Sequence, residues 1–230
     1  MDEYQAEVQR MQAALGTEMA TNHEKDVLDD LINQTLLAQA AAENGFQLDD
    51  KALQERIDNL EPSRQKFQAW LDAHGYTQES IKKALGRAIA AAWMRDKIAE
   101  SVPEATEQVH ARQIFLYDED TANAVYAKLQ NGTSFEKLAK AYDPVTKGDL
   151  GWFPHDFLLQ KELDPVVFSL EEGSYSKVIK TDVGFHIIQV IERSKERRLN
   201  YDALKRLRHK AVEDWLKNKR EQSKIIVNLP

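Results

Sequence analysis

Apolar residues are spaced differently in three successive parts of the chain. In residues 1–105, and again in 196–230, they recur at intervals of three and four, the period of a helix that buries one face. In residues 106–195, short apolar runs are separated by turn residues instead. The pattern predicts a helical domain, an α+β domain of about ninety residues and a C-terminal helix.

Cap and turn residues divide the first part into four helices. Gly45 stands where the first of them should end, and Asp49 can cap the second. Pro62 suits the first turn of the third helix, which Gly75 ends, and Thr77 opens the fourth.

The middle part opens with a strand-like run and closes with two more. Thr133 and Glu136 have the spacing of a capping box, and the turn-rich segment 143–153 is predicted to be a loop. The predicted elements are a strand at 109–116, helices at 118–129 and 133–141, a short helix at 165–170, and strands at 176–180 and 185–192.

The last part is predicted to be one helix, at 201–221, with Leu204 and Trp215 on its apolar face. A single helix cannot bury such a face alone. Residues 196–230 carry 10 basic and 5 acidic side chains, whereas residues 1–105 carry 11 and 19. The opposite charges favour return of the helix to the first part, so that the middle part is an insertion. A solvated basic helix is the alternative.

Composition excludes several classes of protein. Charged residues make up 30% of the chain and interrupt its apolar runs well before the roughly 20 residues that cross a bilayer. The absence of cysteine excludes disulfides, thiolate nucleophiles and cysteine-based metal sites. A net charge of −7 makes nucleic acid a poor partner. Four histidines lack metal-ligand spacing and are expected at the surface: His23, His74, His155 and His209. Neither a metal nor a cofactor is expected.

The middle part contains four motifs in order: Val109-His-Ala-Arg-Gln-Ile-Phe-Leu, Lys147-Gly-Asp-Leu-Gly-Trp-Phe, Val167-Phe-Ser-Leu-Glu-Glu-Gly and Val183-Gly-Phe-His-Ile-Ile-Gln-Val. They resemble the motifs of the parvulin (rotamase, PpiC-type) peptidyl-prolyl cis-trans isomerases. The flanking helices resemble the chaperone domain of SurA-like and PrsA-like foldases. The resemblance implies a parvulin-type antiparallel sheet with surrounding helices at 106–195, inserted into an all-α chaperone domain formed by 1–105 and 196–230.

The isomerase reaction needs no nucleophile and no metal. An X-Pro bond rotates over a barrier of about 20 kcal/mol because twisting it forfeits amide resonance. A catalyst must therefore favour the twisted amide over the planar one. An apolar pocket for the proline ring, beside a few polar groups that hydrogen-bond differently to the two states, is sufficient.

The resemblance implies four polar cleft residues. His186 matches the family's cleft histidine and Thr181 its cleft hydroxyl, while Gln113 replaces a second histidine. Asp143 lies near the position of the family's Asp or Cys, in a loop that is shortened here. Taken without the family, Gln113 and Asp143 are equally well explained as structural hydrogen-bonding residues.

The resemblance also implies an apolar pocket for proline. Leu159 and Leu163 align with positions that the family usually fills with Met and Phe, and Phe168 matches the Phe of the Phe-Ser-Leu motif. Phosphopeptide-directed members carry a basic cluster after the first strand, whereas residues 117–120 are acidic apart from Tyr117. No phosphopeptide preference is therefore expected.

Two functions follow from the resemblance. The first is a foldase that isomerises X-Pro bonds and binds unfolded, proline-containing clients; the second is a chaperone whose parvulin module is weakly catalytic or inactive and serves as a client surface. Candidates for client binding in the helical domain are Met11, Met19, Phe46 and Phe67, because thioethers and aromatic faces accommodate varied side chains. The alternative is that all four are core residues.

The sequence is compatible with two cellular locations. Met1 is followed by acidic residues and by no signal peptide, so either a leader is missing and the protein is extracytoplasmic, in the periplasm or at the cell surface, or it is cytoplasmic. The family resemblance favours the first. The oligomeric state stays open between a monomer and a homodimer.

Overall fold

The computed structural model describes residues 3–15, 24–59 and 63–227, which form two compact units. The helical unit joins the described residues up to Ser101 with those from Lys210 onward. The mixed unit spans Val102–His209. Among the helices of the described residues, none is long and apolar enough to cross a membrane.

Helices come first along the chain, and strands and helices mix after them. The helices before the sheet are α1 (Glu3–Leu15), α2 (Glu24–Glu43), α3 (Asp50–Asp58), α4 (Arg64–Ala73) and α5 (Gln78–Glu100). The mixed unit contains β1 (Ala105–Leu116), α6 (Glu119–Gln130), α7 (Phe135–Tyr142), β2 (Asp149–Pro154), α8 (Leu163–Ser169), β3 (Ile179–Lys180) and β4 (Phe185–Arg198). The last helix is α9 (Tyr201–Gln222), whose residues from Lys210 onward belong to the helical unit.

Side chains cap the helices of the helical unit. Asp49 accepts a hydrogen bond at the start of α3, as the sequence predicts. Thr77, which was predicted to open the fourth helix, does so at α5 and forms a capping box there. Helix α4 begins after Ser63, whose hydroxyl serves as its cap. Pro62, which the sequence places in the first turn of this helix, lies outside the described residues.

The core of the helical unit brings α2, α5 and the end of α9 together. Its buried residues come from α2 and α5, and the apolar face of α9 packs against them through Ala211, Val212, Trp215 and Leu216. Arg220 also reaches α2, where its guanidinium lies 2.9 Å from a carboxylate oxygen of Asp29. Residues far apart in sequence thus share one apolar core, whose burial stabilises by about 25 cal/mol per Å².

A four-stranded antiparallel sheet in the order β2-β1-β4-β3 forms the centre of the mixed unit. Together with its helices it confirms the predicted α+β class. Alternate residues of β1 face opposite sides. Ile114 and Leu116 pack on one side against α6 and α7. Val109 and Ala111 pack on the other, against α8. That second side, which also carries Gln113, is called the cleft face below.

Strand β2 corrects the sequence-based prediction of a loop at 143–153. Its glycines predict turns, but Gly151, with φ of 66°, lies in the strand and pairs with Ala111. The register shifts between Ala111 and Arg112, where Leu150 has no partner in β1. A bulge of this kind lets a strand pass through a residue in an unusual conformation, and the sequence pattern does not reveal it.

Three boundaries in the mixed unit were also predicted wrongly. Thr133 does not begin α7; its N–H donates to the carbonyl of Lys128 and closes the turn that follows α6. Ser134 caps α7 instead and accepts from the N–H of Lys137. Strand β3 has only two of the five residues predicted at 176–180, and β4 continues past residue 192 to its pairing with the start of β1.

The α9 packing can be tested with Trp215→Ala. Because Trp215 packs on the core of the helical unit, the change should lower the free energy of unfolding of that unit by about 2 kcal/mol. Urea unfolding followed by far-UV circular dichroism measures it. Lys217→Ala, an exposed change on the same helix, is the control. Equal unfolding midpoints for both variants would show that α9 does not stabilise the helical unit.

Candidate active site

A buried imidazole joins two strands on the cleft face. His186 of β4 is only 3% exposed. Its Nδ1 lies 2.9 Å from Oε1 of Gln113 on β1, and its Nε2 lies 3.0 Å from the hydroxyl of Thr181, just after β3. The register places Phe115 and Ile179 opposite His186. Gln113 lies two residues before Phe115 and Thr181 two residues after Ile179, so strand pairing brings both polar side chains near the imidazole.

The hydrogen bonds define how the protons are placed. An amide oxygen can only accept, so Nδ1 of His186 carries the proton and donates to Gln113. Nε2 is then an acceptor for the Thr181 hydroxyl. The carbonyl of Gly184 lies 3.1 Å from that hydroxyl and could also accept its proton, but the Thr181 hydroxyl is the donor that satisfies the lone pair of Nε2. The Thr181 hydroxyl in turn accepts from the N–H of Val183.

The environment favours the neutral imidazole. Burial lowers the pKa of His186 below its usual value, and the negative charge of Glu162 opposes this only in part. A neutral ring with both nitrogens satisfied avoids placing an unpaired charge in the sheet. The three side chains therefore form a fixed, uncharged polar row.

An apolar cluster with half-buried outer residues lies on the same cleft face as this row. Phe168 is one of them; the imidazole of His155 stacks on its ring at 3.5 Å between centroids, and Nδ1 of His155 lies 2.8 Å from Asp164. Leu163 is 2% exposed and belongs to the core beneath, while Leu159 is 74% exposed. The structure therefore brings only Phe168 of the three predicted pocket residues to the half-buried layer.

Sequence reasoning missed other members of that layer. Leu150, Phe157, Leu158 and Ile179 are partly buried and pack against the same core. Leu150 lies in the strand that was predicted to be a loop. Leu158 precedes Leu159 in a segment without regular structure, where no periodicity distinguishes the inward residue from its neighbour.

Asp143 shapes a loop. Its carboxylate accepts hydrogen bonds from the N–H groups of Val145, Thr146 and Gly148, and from the hydroxyl of Thr146. These bonds, that of the Thr146 hydroxyl foremost, lower the pKa of Asp143. All of them stay within residues 143–148, so its described hydrogen bonds do not reach His186.

The Asp143 loop nevertheless abuts the polar row through Gly148. The carbonyl of Gly148 accepts from the N–H of Gln113 at 2.8 Å. Gly148 has φ of 72°, and a Cβ there would lie 1.9 Å from the carbonyl oxygen of Gln113. Only glycine permits this approach, so the loop fixes the backbone of β1 at Gln113.

The predicted client-binding residues have different environments. Phe46 packs on the core of the helical unit, 5.3 Å from the ring of Trp93. Phe67 is half-buried and stacks on Trp70, and Met11 is half-buried on α1. Met19 lies outside the described residues.

An aromatic stack extends outward from Phe67. Trp70 is 41% exposed, and the rings of His74 and Tyr76 stack with it at 4.5 and 5.9 Å. Arg10 covers the Tyr76 ring at 3.8 Å. A Trp at helical spacing usually packs inside a core, whereas the ring of Trp70 is partly open to solvent.

The protonation of His186 predicts a pH-dependent stability. Below about pH 6.5, the usual pKa of histidine, the unfolded chain takes up a proton that the buried ring resists. The contribution of neutral His186 to the free energy of unfolding is therefore fully present above that pH. It should fall, by up to about 1 kcal/mol per pH unit, as the pH drops toward the lowered pKa of His186. Urea unfolding at pH 7.5 and 5.5 measures the loss.

Two variants assign that loss to His186. His186→Asn should remove this part of the pH dependence, whereas His74→Asn, at an exposed histidine of the helical unit, should keep it. The assignment is wrong if the His186 variant loses as much stability between the two pH values as the unaltered chain.

Comparisons with known proteins cover both units. Residues 97–194 match the model of the PPIC-type PPIASE domain, and residues 1–95 match that of the SurA-like N-terminal domain. The fold is also similar to crystal structures of peptidylprolyl isomerase (PrsA) from Bacillus cereus and Bacillus anthracis. The first has a TM-score of 0.54 at 21% identity and covers 91% of this chain and 86% of the other. The second has a TM-score of 0.50 at 22% identity and covers 87% and 99%.

Curated relatives give the same assignment. The foldase protein PrsA of Caldanaerobacter subterraneus is 33% identical over 72% of this chain and 56% of its own length. That of Geobacillus kaustophilus is 31% identical over 80% of this chain and 67% of its own length. The chain thus spans between about half and two thirds of these relatives. It belongs to the PrsA family of foldases, with a parvulin-type domain and a SurA-like helical domain.

Proposed function

We propose that this chain is a foldase whose mixed unit isomerises X-Pro bonds on the cleft face. The observation that carries the proposal is the neutral imidazole of His186, held between Gln113 and Thr181 beside half-buried apolar side chains. This combination meets the requirements of the reaction, a dry place for the proline ring and polar groups of fixed orientation.

The uncharged side chains of Gln113, Thr181 and His186 suit the loss of amide resonance that occurs when the X-Pro bond twists. A planar amide is stabilised by a charge-separated resonance form, which a polar solvent favours. Transfer of the X-Pro bond onto the apolar layer around Phe168 removes that solvent and weakens the preference for the planar state. Thr181 and Gln113 then hold His186 neutral, so that no fixed charge restores the dipolar planar form.

The alternative is a weakly catalytic module that serves as a client surface. Two observations favour it: Gln113 stands where many family members have a second histidine, and Leu163 lies in the core instead of lining the cleft. The amide of Gln113 nevertheless makes the hydrogen bond that orients His186, which supports activity.

An isomerisation assay on an Ala-Pro tetrapeptide distinguishes the two functions. The chain should catalyse the reaction, and His186→Ala should lower kcat/KM at least about tenfold because the polar row loses its centre. Gln113→His should keep or raise activity, since an imidazole nitrogen can also accept from Nδ1. His74→Ala in the helical unit is the control. A rate equal to the uncatalysed one in the unaltered chain would favour the chaperone alternative.

We also propose that unfolded clients bind the helical unit at the stack of Phe67, Trp70 and Tyr76, with Met11 as a further candidate. The partly exposed ring of Trp70 offers an amphipathic contact to varied side chains. Phe46 has a core environment, and we leave it out of the proposed surface.

Suppression of aggregation tests the client surface. Trp70→Ala in the full chain should reduce protection of a denatured, unrelated protein by about half or more, because the stack loses its central ring. Tyr201→Ala, at an exposed aromatic residue outside the stack, is the control. Undiminished protection by the Trp70 variant would place client binding elsewhere.

The remaining features of the proposal concern partners and location. The clients are unfolded polypeptides without a phosphate requirement, because the acidic residues after Tyr117 repel phosphate. The net charge disfavours nucleic acid. An extracytoplasmic location agrees with the absence of cysteine and with the family.

A further inference from the structure

Three aromatic rings form a row that leads from the buried imidazole to the surface. The ring of Phe115 lies 5.0 Å from that of His186, and the ring of Tyr117 meets Phe115 edge-on at 4.8 Å. Burial decreases along the row: His186 is buried, Phe115 is half-buried, and Tyr117 is 85% exposed. We call Phe115 and Tyr117 the aromatic pair.

The backbone holds the aromatic pair in place. Gly184 has φ of 147°, and a Cβ on it would lie 2.8 Å from the Phe115 ring and 2.7 Å from the carbonyl of Leu116. Phe115 therefore packs directly on the turn that also positions Thr181. Tyr117 is fixed from both sides, since β1 ends at Leu116 and Asp118 caps α6 by accepting from the N–H of Thr121.

The exposure of Tyr117 has no explanation in stability. A large aromatic side chain in water gains little from folding, whereas a rigid, exposed tyrosine beside a cleft provides contact area at a low entropic cost. Its ring contact with Phe115 continues the cleft face. Tyr117 is thus suited to contact a bound segment.

The order of residues along β1 determines which part of a substrate the pair would meet. The apolar core of the cleft face lies at Val109 and Ala111, the polar row at Gln113, and the aromatic pair beyond it. In an X-Pro bond the proline ring and the preceding residue lie on opposite sides of the amide. With the proline on the apolar layer and the amide at Gln113 and His186, the preceding residue is directed toward the pair.

We propose that Phe115 and Tyr117 form a subsite that selects an aromatic side chain immediately before the proline. This inference rests on the proposed isomerase function of the cleft. Edge-to-face contact with the pair favours aromatic residues, and the exposed acidic side chains of residues 118–120 disfavour a negatively charged residue at the same place. The substrate class is therefore unfolded polypeptide with aromatic-Pro sequences.

A peptide series in the full-length chain tests the subsite. The peptides Ala-Xaa-Pro-Phe, with Xaa as Phe, Leu, Ala or Glu, are compared by exchange NMR, which needs no protease. The Phe peptide should exceed the Ala peptide about tenfold in kcat/KM, and the Glu peptide should be the slowest. Tyr117→Ala should reduce the Phe-to-Ala ratio to about twofold, and Tyr117→Phe should preserve it. Tyr142→Ala, at a half-exposed tyrosine that ends α7, should also preserve it.

Binding measurements separate failure of the subsite from failure of the isomerase. The same peptides are titrated into the chain and the dissociation constants are read from backbone amide shifts. If the cleft does not catalyse, a Phe-over-Ala affinity ratio that Tyr117→Ala abolishes would still support the subsite and reject only the isomerase. Equal Phe-to-Ala ratios in the unaltered chain and in Tyr117→Ala, in both rate and affinity, would overturn the subsite.

Discussion

The pairing of β1 with β4 is the constraint on which the candidate site depends. These strands are the two central ones of the sheet, and their register places Phe115 opposite His186. Because side chains alternate along a strand, the same register aligns Gln113 with Nδ1 of the imidazole. A shift by one residue would move Gln113 and Phe115 to the opposite side of the sheet and would dismantle both the polar row and the aromatic pair.

Burial of His186 is possible because each of its ring nitrogens has a neutral hydrogen-bond partner. An imidazole enclosed by a sheet loses its hydration, so each ring nitrogen needs a partner of the right type. Gln113 supplies an acceptor and Thr181 a donor. In the arrangement observed, the amide oxygen of Gln113 accepts from Nδ1, which leaves Nε2 to accept from the Thr181 hydroxyl.

The sequence predicts the helices and the family more accurately than the details of the cleft. Thr77 and Asp49 cap helices as expected because capping is local chemistry between neighbouring residues. Strand β2 was not predicted because its pairing depends on a bulge opposite Ala111, a residue far from β2 in the sequence. Leu163 was expected in the pocket, yet it belongs to the core. Alignment gives a residue's place in the chain, but the depth of a side chain depends on packing that only the folded unit establishes.

Two glycines of the family motifs keep the backbone of the cleft in place, although Gln113 stands where many family members have a second histidine. Gly148 allows the loop of Asp143 to touch the carbonyl of Gln113, and Gly184 allows the turn of Thr181 to touch the ring of Phe115. Both contacts depend on the absence of a side chain at the glycine, and neither requires a particular residue at position 113. Gly148 and Gly184 therefore maintain the backbone geometry of the cleft. The chemistry and selectivity of the cleft depend on the side chains of β1 that these contacts hold in place.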